Sequence, residues 1–209
     1  MRLSPLASTL AALLATTACS KVDETGYFHE ERVHYTAEGP LSSAGDSTVI
    51  LVGEEGAVDV AGGLLIVEVV RSGTSFPGAV DPDTRTLAAG VSARKDDTLH
   101  LRYTVDGDDS ELTIELDDAV AGVPAPDCTG CGVGWTLVGP AEGGVVTIDL
   151  SVLDDPTAPF VIANVDNGAV VVAGSVDDPV SIPAVSGATV CVYQRLSGVS
   201  GPARCEIVP

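Results

Sequence analysis

The chain has 209 residues, with 30 Asp and Glu against 10 Lys and Arg, and a formal net charge of −20. Nucleic-acid phosphates demand a basic footprint, so this balance excludes a nucleic-acid partner, and it equally disfavours binding to an anionic membrane surface. Apolar residues make up 45% of the chain but aromatics only 4%, and the chain also holds 23 Gly and 13 Pro. Such a composition favours aliphatic strands and turns. No window past the first residues carries a helical apolar stripe of useful length, so the expected fold class is all-β.

At the start, Met1-Arg2-Leu3 supplies a basic residue, Leu6 to Ala15 form a short apolar run, and Thr16-Thr17-Ala18 precede Cys19. That is the order of parts in a secretory signal peptide. The apolar run is too short to cross a bilayer as a helix, which takes about 20 residues. The stretch ending at Cys19 resembles a bacterial lipobox, departing from it at Thr16, where an aliphatic residue is usual. The resemblance implies cleavage after residue 18 and a lipid on Cys19 that anchors the protein to the cell envelope, at the outer membrane or cell surface. Each buried CH₂ of that lipid contributes about 0.8 kcal/mol. Of the five cysteines, lipidation of Cys19 leaves an even number, Cys128, Cys131, Cys191 and Cys205, to pair in an oxidising compartment. Residues 19–45, mixed in charge and holding Gly39-Pro40, read as a tether with one short strand at residues 32–36.

Beyond the tether the sequence repeats. Leu51 to Val60 matches Leu137 to Ile148, and Thr98-Leu99-His100-Leu101-Arg102-Tyr103 matches Thr189-Val190-Cys191-Val192-Tyr193-Gln194. The repeat is of the size of a small β-sandwich. It divides the body into residues 46–119 and 133–209, joined by a Pro, Gly and Cys linker at 120–132. Within the first copy, Leu64 to Val70 is a near-continuous apolar run suited to a core strand. Thr98 to Val105 alternates, Leu99, Leu101, Tyr103 and Val105 facing one way. Asp106-Gly107 predicts a two-residue hairpin turn that sets Leu101 opposite Leu112 and Leu99 opposite Ile114.

Two such modules behind a lipoprotein signal resemble bacterial immunoglobulin-like or carboxypeptidase-regulatory-like β-sandwiches. The resemblance implies two tandem small antiparallel sandwiches serving as spacers or binding modules at a surface. The Cys…Trp…Cys spacing of antibody domains is absent, because Trp135 follows closely on Cys131.

The chemistry-bearing motifs are few. Cys128-Thr-Gly-Cys131 is followed by Gly132-Val133-Gly134, which cannot open the helix that a thioredoxin-type thiol needs. A zinc site from Cys128, Cys131, Cys191 and Cys205 would have a widely spaced second pair, and export favours disulfides. Their connectivity stays open. By the register of the first copy, Cys191 faces outward and Cys205 inward, unless a one-residue bulge between Ser197 and Pro202 brings them opposite each other. His29-Glu30-Glu31-Arg32-Val33-His34 resembles the zinc-protease HExxH but spaces its histidines by five, which puts them on different faces. His100 is expected on the solvent face of its strand. Neither a Gly-x-Ser-x-Gly elbow nor a Walker loop occurs. Acidic turns are the remaining constellation, and Asp106, Asp108 and Asp109 are the first choice for calcium, which takes six to eight oxygen ligands.

The sequence thus leads to a non-enzymatic envelope lipoprotein with no cofactor, acting as a structural or protein-binding module for another envelope or surface protein. A calcium-stabilised adhesion module is the alternative. An exported hydrolase with an unrecognised site is the third reading.

Overall fold

The computed structural model describes residues 26–117, 134–152, 159–173, 179–196 and 199–209. Among these residues the only helical element is a 3₁₀ turn at Glu30–Arg32. Cys19, Cys128 and Cys131 lie outside the described residues.

The first sandwich is built from β1 (Val33–Ala37), β2 (Ser47–Gly53), β3 (Leu64–Val69), β4 (Thr74–Val80), β5 (Leu87–Ala93), β6 (Thr98–Val105) and β7 (Asp108–Glu115). They pair antiparallel in the order β1-β2-β5-β4-β3-β6-β7. The strip folds over at β4, whose first residues pair with β3 while Ala79 and Val80 pair with β5. This makes two layers, β1-β2-β5 and β3-β6-β7, with Val49, Leu51, Ala89 and Val91 packed against Val67, Val69, Leu99 and Leu101. Alternation decides what each strand buries. On β6, Leu99, Leu101 and Tyr103 are fully buried and Arg102 is exposed. The buried Tyr103 hydroxyl donates to Val60 O at 2.8 Å and accepts from Gly63 N–H at 2.9 Å, so its polar end is satisfied. The hairpin has the anticipated register, Leu101 opposite Leu112 and Leu99 opposite Ile114.

Part of the segment read as a tether belongs to this body. The rings of Tyr27 and Phe28 pack on Tyr103, and β1 pairs with β2 along its length. The reason is alternation over a short span: Val33, Tyr35 and Ala37 face the core while His34 and Thr36 face away, which a composition averaged over residues 19–45 conceals.

The second sandwich comprises β8 (Gly134–Glu142), β9 (Val145–Val152), β10 (Phe160–Asn164), β11 (Val170–Ala173), β12 (Val180–Pro183), β13 (Thr189–Leu196), β14 (Val199–Ser200) and β15 (Arg204–Ile207). One sheet runs β12-β9-β8, and the other β11-β10-β13 with β14 and β15 both on β13. Val146, Ile148 and Ile182 pack against Phe160, Ile162, Val190 and Val192 between them. Strand for strand this repeats the first module, β8-β9-β12 answering to β1-β2-β5 and β11-β10-β13-β15 to β4-β3-β6-β7. Both modules are immunoglobulin-like antiparallel sandwiches. The match of Thr98–Tyr103 to Thr189–Gln194 thus pairs equivalent strands, β6 and β13. The match of Leu51–Val60 to Leu137–Ile148 is displaced by one strand, since β2 corresponds to β9 and not to β8. An aliphatic strand running into a glycine turn recurs too often in such folds to fix an alignment.

The two sandwiches pack face to face. Ile50 and Val52 of β2 and Ala88 of β5 turn away from their own core and meet Val161 and Ala163 of β10 and Cys191 and Tyr193 of β13 in a continuous buried cluster. The described residues therefore form four stacked layers.

Candidate functional site: the junction between the sandwiches

Polar groups are concentrated at one margin of this packed face. β1 turns His34 toward the second sandwich, where its Nε2 is hydrogen-bonded to the Tyr193 hydroxyl, and the two rings meet edge to face at 5.8 Å. His34 is 8% exposed and Tyr193 fully buried. Beside them Arg195 Nη1 donates to Glu54 Oε1 at 2.6 Å, and that oxygen lies 3.9 Å from His34 Nδ1. Further along β1, Thr36 Oγ1 donates to Gly201 O at 2.5 Å and Ala203 N–H to Ala37 O at 2.7 Å. At the opposite margin Thr86 Oγ1 donates to Gly168 O at 2.7 Å. Gly168 has φ +78°, and a Cβ there would lie 2.6 Å from Ala79 O, so this approach requires glycine.

Burial governs the protonation of the central pair. It lowers the His34 pKa from 6.5 to about 3, helped by the positive charge of Arg195 and opposed by a backbone contact from Arg32. Burial likewise raises that of Tyr193 well above the usual tyrosine value. Both groups are neutral near pH 7, so the link is a neutral hydrogen bond in a low-dielectric site. His34 Nδ1 and Arg195 Nε are buried without a hydrogen-bond partner among the described residues. A fully buried tyrosine hydroxyl held by a neutral imidazole cannot meet a substrate. The chemistry of this arrangement is adhesive: it holds two domains in one orientation.

The residues singled out from the sequence fall in several places. Cys191 and Cys205 form a disulfide, directly opposite each other with Cα atoms 4.0 Å apart. Ser200 faces Arg195 whereas Cys205 faces Cys191, so the pairing slips by one residue between β14 and β15, which is the condition under which the sequence allowed this pair. Cys191 does point away from its own core, yet it is fully buried because the first sandwich covers it.

Asp106, Asp108 and Asp109 are exposed around the β6–β7 turn. Asp109 Oδ1 accepts from Thr104 Oγ1 at 2.5 Å. Asp108 and Asp109, adjacent on a strand, point to opposite faces, and no group of three or more His, Cys, Asp or Glu side chains is placed to hold a metal among the described residues. Other acidic turns are committed to the backbone. Asp81 Oδ1 accepts from Asp83 N–H, Thr84 N–H and Thr84 Oγ1, and buried Asp97 takes Arg71 and Arg94 N–H. His29 bonds Asp59 Oδ1 at 2.8 Å. His100 lies on the face of β6 away from the core, as its alternation implied, part-exposed and 3.3 Å from Glu111 Oε2.

Sequence reasoning missed the junction residues Glu54, Tyr193 and Arg195, and weighed His34 only as a metal ligand. One signal was available. Val190-Cys191-Val192-Tyr193 is apolar at every position, where the equivalent strand of the first module alternates with His100 and Arg102. A strand apolar on both faces needs a cover on both.

No protein-family model matches the chain, and no curated protein matches it. Among solved structures, the BSP domain of a biofilm-associated protein aligns with 76% of this chain at 14% identity and a TM-score of 0.28. The alignment spans 27% of that protein's length, so this chain corresponds to a minor part of it. A segment of two fibronectin type III domains from chicken tenascin aligns with 84% of this chain and 97% of its own, at 12% identity and a TM-score of 0.28. At these scores neither likeness bears on function, and the fold assignment rests on the strand order itself.

Proposed function

We propose that the chain is an exported, non-enzymatic envelope lipoprotein, fixed to a membrane by a lipid on Cys19 and presenting its paired sandwiches as a structural or protein-binding module. The observation that supports the reading is the junction: His34, Tyr193, Arg195 and Glu54 join the two sandwiches beside a buried apolar face. A fixed pair of domains offers edges and loops in constant relative position, which is what a binding surface requires.

The anchoring is tested by feeding cells an alkyne-bearing fatty acid and fractionating them. The wild-type protein takes up the label and sediments with membranes, and Cys19→Ala is unlabelled and released. Label on Cys19→Ala, or none on the wild type, refutes the anchor.

A further inference from the structure

Among the described residues, the open side of the first sandwich leaves backbone and apolar surface without a partner strand. β7 ends its sheet and, among the described residues, pairs with β6 alone. Positive φ at Asp106 (52°) and Gly107 (94°) makes the preceding loop a two-residue turn. Such a turn makes Val105 and Asp108 a hydrogen-bonded pair, so Asp109, Glu111, Thr113 and Glu115 turn their N–H and C=O groups to the open edge. Across that edge stands β1. Tyr27 N–H to Ser110 Oγ at 2.8 Å ties the two sides at one end, and the Tyr35 hydroxyl to Asp117 Oδ1 at 2.7 Å ties them at the other. Between the ties lies a cleft of about 370 Å³ walled by Val33, Tyr35, Leu112 and Ile114. His34 and Arg195, each with a buried nitrogen lacking a partner, also line it.

Charge selects the occupant. Asp109, Glu111 and Glu115 are exposed on β7, which carries no Lys or Arg, and Glu30 stands with Glu115 at the cleft. A second copy of β7 would set carboxylates against carboxylates, which opposes self-pairing.

We propose that β7 accepts, as an added strand, an extended segment of another protein in which Lys or Arg alternates with aliphatic residues. Its backbone pairs with the outward N–H and C=O groups of β7. Its cations lie beside Asp109, Glu111 and Glu115, and its aliphatic side chains enter the cleft against Val33, Tyr35 and Ile114. The inference rests on the reading of the chain as a protein-binding module and gives that module a partner chemistry.

The test uses the intact chain and three labelled peptides of about ten residues. One alternates Val with Lys, one has Glu in place of Lys, and one keeps the Val and Lys but carries N-methyl groups on alternate amides, which blocks strand pairing. Anisotropy should show the Val/Lys peptide bound, the Glu peptide unbound, and the N-methylated peptide weakened by about tenfold or more. Joint Glu111→Lys and Glu115→Lys substitution should weaken the Val/Lys peptide to the same degree. Thr113→Pro removes an outward N–H without touching the ladder to β6, so it should lose the peptide while keeping its melting temperature. Equal binding of the N-methylated peptide, equal binding by the charge-reversed protein, or no binding of the Val/Lys peptide overturns the proposal. If the peptides fail while gentle crosslinking still joins the lipoprotein to an envelope protein through another surface, strand addition falls and the binding-module reading stands. Failure of both removes the broader reading too.

Discussion

His34 should make the protein sensitive to acid well above the range where carboxylates titrate. In the folded state burial holds its pKa at about 3, against 6.5 for the free side chain. A folded pKa below the unfolded one means that the unfolded chain takes up the proton first. The stabilisation is complete above about pH 6.5 and is lost progressively as the pH falls toward 3. Each pH unit within that window costs up to about 1.4 kcal/mol. Between pH 7.5 and pH 5 the loss comes to about 2 kcal/mol, and over the whole window to about 5 kcal/mol. Stopping at pH 5 keeps most carboxylates ionised, so the histidine is read nearly alone. The assay is urea unfolding at both pH values for the wild type and for His34→Gln, whose amide can still hydrogen-bond Tyr193 but does not titrate. The wild type should lose about 2 kcal/mol and the variant only a small part of it. Equal losses in the two proteins would refute the reasoning, because they would mean that His34 is solvated and the junction open in solution.

Four further outcomes can be measured. Gly168→Ala should destabilise by about 2 kcal/mol or more, since its Cβ meets backbone across the junction; Gly187→Ala, with a similar φ of +87° but open space around it, should cost only about 1 kcal/mol in parallel urea titrations. Reduction of the Cys191–Cys205 bond, which closes a loop with a sequence separation of 14, should lower stability by about 3 kcal/mol. Mass spectrometry of unreduced protein should find no free thiol among Cys128, Cys131, Cys191 and Cys205. Millimolar calcium should leave the melting temperature unchanged, because Asp108 and Asp109 point to opposite faces and no three carboxylates are placed to share an ion among the described residues; a rise on adding calcium would restore the adhesion reading.

What was legible in the sequence was local. The β6–β7 hairpin could be placed to the residue because Asp106-Gly107 sets the turn and the alternation on either side has one consistent register. The slip in the cysteine hairpin was only one of the alternatives the sequence left open, because no Asp-Gly pair fixes that turn. What was not legible depends on contacts between distant strands. Leu64 to Val70 and Val49 to Val52 look alike as apolar runs, yet Leu64 and Val70 are exposed while Val49 to Val52 are buried on both faces. The difference lies outside either strand: only β2 is covered by the second sandwich. The partnership of His34 with Tyr193, 159 residues apart, carries no local signature.

The way the sandwiches pack also sets the shape that the chain presents. They lie flank to flank instead of end to end, and β1 hydrogen-bonds across to the approach of β15 through Ala37 and Ala203. The end of β1 and the start of β15 are therefore fastened side by side. Pulling the two sandwiches apart would have to break that crossing, the His34–Tyr193 link and the buried apolar face together. Such a body makes a poor stalk, since its second module adds width and not height. It is a thick block of layers whose two modules keep one fixed relative position.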